Sequence, residues 1–204
     1  MIRAAAFAIT SSLLLAGCGA ASVADNASDN AAQSISGERD DIAETKGWNH
    51  LFGKPEAVIV QAGQLGWRMP AYAKTDGGFA SESAPAPLMS TGAVPIVSRF
   101  AIAGDAAEMI DRMRFSIDIT DEGGAKKSTE TFAKNVRSFF FLFKIDATAV
   151  ETELVKAQAA TGLLAGTPYV IDVHPLPATP NARRMTVTFT RPAGNAPAKQ
   201  PQGT

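Results

Sequence analysis

The sequence predicts an α+β fold in which about two helices pack on one face of an antiparallel sheet. Segments with the pattern of strands come first along the chain, two helical segments follow, and two more strand-like segments come last. Strands and helices that are segregated along a chain are typical of α+β folds, whereas regular alternation favours a parallel sheet. The alternative is a β-sandwich, in which residues 139–145 form a strand.

Two segments alternate between apolar and polar side chains, as half-buried strands do. They are residues 113–120 and, near the end of the chain, residues 184–190. Residues 168–173 are expected to be the strand that precedes the second of these. Residues 94–103 are rich in β-forming side chains. They lead either into a hairpin with 113–120, which we favour, or into a short helix capped at Asp105.

Three earlier segments carry weaker signals. Residues 57–61 are a short apolar run of strand type. Residues 67–72 suit an edge strand, because Pro70 interrupts them and proline cannot donate to a sheet. Residues 74–92 are too long for an ordinary connection, so we expect a functional loop or a mobile insertion there.

The first helix is expected over residues 127–143, after a turn at 121–124. Its large apolar side chains fall on one stripe about 100° wide; they are Phe132, Val136, Phe139, Phe140 and Phe143. Phe141 falls on the opposite side of the helix. It is therefore either covered by residues 74–92 or 147–160, or offered to a partner as a contact.

A second helix is expected over residues 147–160. Thr148 and Glu151 have the spacing of a capping box, in which two side chains satisfy free backbone N–H groups at a helix start. Gly162 is placed to end this helix, because glycine readily adopts the left-handed conformation found after many helices.

The composition allows one hydrophobic core and argues against nucleic acid as a partner. Of the 204 residues, 46% are hydrophobic, so a domain of ordinary size can bury a core, and Trp48 and Trp67 are expected to anchor it. The 19 basic residues are scattered among 20 acidic ones, whereas nucleic-acid-binding proteins usually carry a basic patch. One cysteine cannot form an internal disulfide, so the fold depends on its core.

No group of residues has the spacing of a catalytic, metal or cofactor site, so we expect neither an enzyme nor a bound cofactor. Asp172 and His174 would point the same way on a strand, as an acid–base pair or part of a metal site does. A zinc site needs three or four ligands, however, and His50 is far away in the sequence. The acidic run 118–122 lacks the spacing of a calcium loop.

Residues 1–18 have the features of an export signal. Arg3 gives the start a positive charge, and residues 4–15 are an apolar stretch too short to span a membrane as a helix. The next residues complete the pattern: Leu15, Ala16, Gly17 and Cys18. This arrangement resembles the signal peptide and lipobox of bacterial lipoproteins.

The resemblance implies cleavage between Gly17 and Cys18, a diacylglycerol on the Cys18 thiol, and acylation of the new amine, with palmitate among the usual acyl groups. Such chains anchor a protein stably to a membrane. Gly19 stands where an aspartate commonly retains lipoproteins in the inner membrane. We therefore expect the outer membrane, with the protein facing the periplasm.

Four parts are expected along the chain. Residues 1–17 are the signal peptide, and residues 18–46 are the lipidated cysteine with a flexible tether whose reach is about 30 Å. Residues 47–191 form a single α+β domain. Residues 192–204 are rich in proline, glycine and alanine and are expected to be a disordered tail.

These observations favour binding in the cell envelope over catalysis. The expected function is that of an accessory or assembly protein that binds an envelope partner, with Phe141 as a possible contact. The alternative is a carrier or sensor of a small apolar ligand, held in a phenylalanine-lined pocket between sheet and helices. An exposed Phe141 would favour the partner, a closed cavity the ligand, and a deep cleft at Asp172 and His174 a hydrolase.

Overall fold

The computed structural model describes residues 47–89, 91–177, 179 and 181–193. The helices in this part of the chain are α1 (Trp48–Gly53), α2 (Pro55–Gln64), α3 (Glu122–Leu142) and α4 (Thr148–Val155). The strands are β1 (Ala73–Thr75), β2 (Gly78–Glu82), β3 (Ala86–Pro87), β4 (Val97–Gly104), β5 (Arg112–Ile119), β6 (Ala160–Leu164), β7 (Thr167–Pro175) and β8 (Arg183–Thr190).

The strands form one eight-stranded sheet in the order β1-β2-β4-β5-β8-β7-β6, and β3 pairs with β4. Every pairing is antiparallel. The α+β class and the antiparallel sheet are therefore confirmed, with four helices in the described part where about two were expected. The alternative β-sandwich is wrong, because residues 139–142 are the last turn of α3.

The core lies between α3 and one face of β4, β5 and β8. All five side chains of the predicted apolar stripe on α3 are buried there. Trp67 is fully buried and its Nε1 donates to Ser98 Oγ at 3.1 Å. Trp48 stacks on Phe52, and its Nε1 donates to the carbonyl oxygen of Leu164 at 3.1 Å. Both tryptophans are thus part of the core, as predicted.

Helix α3 begins five residues earlier than predicted, and the expected turn at 121–124 is its cap and first turn. Asp121 is the N-cap, and its Oδ1 accepts a hydrogen bond from the Gly123 N–H at 3.0 Å. Gly124 lies so close to the core that a Cβ there would stand 3.1 Å from Ile96 Cδ1. The glycines that suggest a turn serve close packing instead.

The expected strand at 57–61 is wrong, because these residues lie inside α2. Pro55 is at the first helical position, where its missing N–H costs nothing, and Val58 and Ala62 are buried one turn apart. A short apolar run fits a buried helix face as well as a strand. The expected strand at 67–72 is also wrong, since these residues are neither helix nor strand.

About half of the segment 74–92 is sheet, so it is not one long loop. It contains β2 and β3, and β1 and β2 are joined by a tight turn at Asp76 and Gly77. After β2, the Ser83 N–H donates to the Phe100 carbonyl at 2.8 Å, and the Phe100 N–H donates to Ser83 Oγ at 3.0 Å. Small, polar strands at a sheet edge give little hydrophobic signal, which explains the wrong prediction.

Helix α4 begins near its predicted start but ends at Val155, five residues early. Ala147 is the N-cap, and the capping box is absent, because the Thr148 N–H and hydroxyl both bind Asp146 Oδ1, at 3.0 and 2.6 Å. Gly162 does not end the helix but lies in β6. A Cβ there would stand 2.6 Å from the hydroxyl of Tyr169 on the paired strand.

The four main strand predictions are confirmed with bounds shifted by a few residues: 94–103 is β4, 113–120 is β5, 168–173 is β7 and 184–190 is β8. Strands β4 and β5 form the favoured hairpin. The alternative short helix at Asp105 is wrong, because Ala106 and Met109 pair as an antiparallel bridge within the turn.

Candidate functional site

The face of the sheet that lies opposite the core carries polar side chains. We call it the polar face. It contains a depression of about 330 Å³ that five strands line together. The lining residues are Glu82, Arg99, Arg114, Ser116, Asp172, His174, Arg184, Thr186 and Thr188.

Strand register brings these residues together. Arg99 is paired with Ser116, Ser116 with Thr186, and Thr186 with Asp172, so these four positions form one row across the sheet. Residues directly opposite each other on antiparallel strands point to the same face. The row therefore places a cation, two hydroxyls and a carboxylate side by side on the polar face.

A second row contains the most buried charge of the face. Asp118 is paired with Arg184, and Arg184 with His174. The Asp118 side chain is only 9% exposed, and it accepts from Arg184 Nε at 2.5 Å and Nη2 at 2.8 Å. Arg99 Nη1 donates to the same carboxylate at 2.6 Å. One carboxylate thus holds two guanidinium groups in place.

The two arginines keep Asp118 ionised. Burial alone would raise the pKa of the Asp118 carboxyl, but the hydrogen bonds from Arg184 and Arg99 outweigh burial and hold its pKa below the ordinary value. The same hydrogen bond raises the pKa of Arg184. The arrangement is therefore a permanently charged cluster and not a group poised to exchange protons near neutral pH.

The arginines retain capacity to bind an acceptor. A guanidinium has five N–H donors. Among the described residues, Arg99 uses Nη1 and Arg184 uses Nε and Nη2 for Asp118. Arg114 is half-exposed, and its Nη2 lies 3.8 Å from Glu82 Oε2, a weak ion pair. N–H groups of all three arginines are thus available to a carboxylate brought from outside.

An apolar groove of about 410 Å³ adjoins the depression and shares Arg99 with it. Its apolar lining comes from the segments before β4 and after β7: Pro85, Val94, Pro95, Val97, Leu176 and Pro177. The prolines fix their own φ angles, which restricts the conformations open to these segments. The combined surface offers charge at one end and apolar side chains at the other.

Asp172 and His174 both lie on the polar face, as their spacing predicts, but in an open depression and not in a deep cleft. His174 is exposed. Their neighbours in the lining are Arg184 and the hydroxyl of Thr186. Among the residues that the structure describes, no three or more His, Cys, Asp and Glu side chains are placed to hold one metal ion.

The acidic run 118–122 is divided among three different tasks. Asp118 binds the arginines of the polar face. Asp121 caps α3, and hydrogen bonds from the Thr91 hydroxyl and N–H and from the Gly123 N–H lower its pKa to about 2. Glu122 forms an ion pair with Arg183. Because these carboxylates bind different groups, they do not converge on a single point where calcium would sit.

Phe141 is 66% exposed, so neither residues 74–92 nor α4 cover it. The Lys144 Nζ atom lies 5.6 Å from the centroid of the Phe141 ring, a cation–π distance. A groove of about 400 Å³ runs beside the ring. Phe141 is therefore available for contact with a surface outside the domain.

The buried phenylalanines of the described residues fill the space between sheet and helices. Ring centroids lie 4.2 Å apart for Phe100 and Phe115, 5.2 Å for Phe115 and Phe139, and 4.6 Å for Phe140 and Phe189. Such separations are those of rings in direct contact. The protein's own rings therefore occupy the space in which the alternative function would place an apolar ligand.

Gly17 and Cys18, the predicted cleavage and lipidation residues, lie outside the described residues. The sequence reasoning missed Arg99, Arg114 and Arg184. Arg114 and Arg184 stand at polar positions of strands that the alternation predicts, which is the only signal for them. Alternation alone does not tell which strands are neighbours.

Comparisons with known proteins identify no relative: no family model matches the chain, and no curated protein or solved structure is significantly similar to it. Within the described residues, no helix is both long enough and apolar enough to cross a membrane. The polar face and the N-terminal sequence are therefore the features that point to a function.

Proposed function

We propose that this protein is a lipid-anchored, non-catalytic protein of the bacterial cell envelope that binds a partner protein. Cleavage after Gly17 and lipidation of Cys18 would attach it to the membrane. This location is supported by the charged start, the short apolar stretch and the lipobox. Gly19 in place of an aspartate supports the outer membrane, with the domain in the periplasm.

The observation that carries the binding role is the arginine cluster on the polar face. Asp118 fixes Arg99 and Arg184 in one orientation, so little side-chain entropy is lost when an acceptor binds them. Charge-assisted hydrogen bonds to a carboxylate are stronger than neutral ones. The cluster therefore suits a partner that presents Asp or Glu side chains.

The apolar groove beside the cluster indicates that the partner also presents apolar side chains. A segment that placed a carboxylate on Arg99 would have its neighbouring side chains over Pro95 and Val97. Binding hot spots are enriched in arginine and lie in well-packed pockets from which water is excluded. The partner segment is accordingly expected to carry an acidic side chain with apolar ones near it.

In-cell cross-linking of the lipidated protein, followed by pull-down and mass spectrometry, tests this function. A defined envelope protein should be recovered with the unsubstituted protein and with Lys134→Ala, an exposed basic position on α3. Recovery should fall with Arg114→Ala, at the half-exposed arginine of the polar face, and with Cys18→Ala, which removes the anchor. If only the monomer returns, the binding role is wrong.

A further inference from the structure

The last turn of α3 presents apolar side chains and a cation to the outside. Phe141 is 66% exposed and Leu142 is 37% exposed. Lys144 Nζ lies 5.6 Å from the Phe141 ring centroid, so its charge accompanies the aromatic ring. Phenylalanine and leucine next to basic side chains are typical of amphipathic segments that lie at the boundary between lipid headgroups and acyl chains.

The incoming chain reaches the domain at this same turn. The Gly47 N–H donates to the carbonyl oxygen of Phe143 at 2.8 Å, so Gly47, the first described residue, lies at the C-terminal end of α3. The opposite end of α3 lies about 30 Å away, since the helix has 21 residues. Val94 is at that far end, where its carbonyl oxygen accepts from the Thr120 hydroxyl next to the helix start.

A lipid on Cys18 would therefore keep the Phe141 end of the domain within reach of the membrane. A tether makes a second contact intramolecular, so a contact too weak to hold the domain alone can still be occupied. The apolar groove that shares Arg99 with the polar face lies at the Val94 end, away from the point of attachment. Membrane and partner would thus be met by different ends of the domain.

We propose that Phe141, Leu142 and Lys144 contact the surface of the membrane to which Cys18 is attached, with the ring at the boundary between headgroups and acyl chains. This contact rests on the proposed lipid anchor. It fixes which end of the domain faces the membrane and leaves the polar face accessible from the periplasm.

The test uses the full-length lipidated protein in protein-free vesicles of phosphatidylethanolamine and phosphatidylglycerol. Acylated Cys18 does not react with thiol reagents, so a single introduced cysteine can carry an environment-sensitive fluorophore. Leu142→Cys reports on the proposed contact, and Val94→Cys, at a half-exposed apolar position, is the matched control. Emission from position 142 should shift to shorter wavelength with vesicles, emission from position 94 should not, and adding Phe141→Ser should reduce the shift.

Three results overturn the membrane contact. One is an unchanged emission at position 142 while the protein floats with the vesicles. Another is an equal shift at positions 142 and 94. The third is a shift that grows with protein concentration without vesicles, which would assign the surface to a second copy of the chain. Failure of the anchor itself is distinguishable, because the unsubstituted protein would then react with the fluorophore at Cys18 and would not float.

Discussion

At the polar face, the carboxylate of Asp118 accepts hydrogen bonds from Arg99 and Arg184, and its side chain is 9% exposed. Two positively charged guanidinium groups can lie this close together because the negatively charged carboxylate binds both of them. Removing the carboxylate leaves two guanidinium groups facing each other with no anion between them. The stability of the sheet and the shape of the binding surface therefore depend on the same residue.

The Asp118→Asn substitution should lower the free energy of unfolding by about 1–3 kcal/mol, since both arginines are only partly buried and water can partly replace the carboxylate. Asp172→Asn on the same face is the matched control, because the Asp172 carboxylate, unlike that of Asp118, belongs to none of the arginine ion pairs among the described residues. Its effect should be within about 0.5 kcal/mol. Urea unfolding at neutral pH measures both. Equal losses for the two variants would show that the arginine cluster has no special role in stability.

Acid should destabilise the protein through the same carboxylate. The pKa of Asp118 in the folded protein is below its ordinary value of 3.8, so the unfolded chain binds a proton first as the pH falls. Its contribution to stability is complete above about pH 4 and is lost below that. Asp121, whose folded pKa is about 2, adds a loss of the same sign between about pH 4 and pH 2. In a denaturation series over this range, Asp118→Asn should lose stability less steeply than the unsubstituted protein, and parallel curves would contradict the assignment.

The periodicity of α3 predicts which of its large side chains are buried, but it does not predict where the helix begins. The stripe of Phe132, Val136, Phe139, Phe140 and Phe143 is buried as its spacing predicts, and Phe141 is outside it. The start of the helix was not predictable in the same way, because Gly123 and Gly124 are poor helix formers. Their need for close packing against the Thr91 and Ile96 side chains comes from tertiary structure that spacing does not reveal.

Two phenylalanines two positions apart on α3 provide a test of this helix orientation. Phe139→Ala should destabilise the protein by about 3–5 kcal/mol, because it opens a cavity among the rings of Phe100 and Phe115. Phe141→Ala removes the same side chain from an exposed position and should change stability by less than about 0.5 kcal/mol. Thermal or urea unfolding compares them. A large loss for Phe141→Ala would mean that the ring is buried after all.

Across the whole molecule, the sequence predicts the class of fold and the main strands, but not their neighbours. Alternation places Asp118 and Arg184 on polar strand faces, yet their ion pair joins residues 66 positions apart. Only the order β4-β5-β8-β7 converts separate polar faces into one depression. Apolar runs such as 57–61, and edge strands of small residues such as β2, fail for a different reason: their local pattern fits more than one structure.

The whole molecule carries its candidate binding features on its surface and not in its interior. The phenylalanine-rich interior is filled by its own rings, and the arginines, the apolar groove and Phe141 are all on the outside. We therefore expect partner recognition at the polar face and membrane contact at the Phe141 end.

Site-specific photo-cross-linking in cells tests whether the polar face binds an envelope protein. The photoreactive amino acid benzoylphenylalanine would replace Thr188, which lines the depression, or Val60, an exposed apolar position on α2 as the control. We expect an adduct of defined mass from position 188 that is absent from position 60 and disappears with Cys18→Ala. Monomer alone at position 188, or the same adduct from both positions, would contradict the claim that the polar face binds an envelope partner.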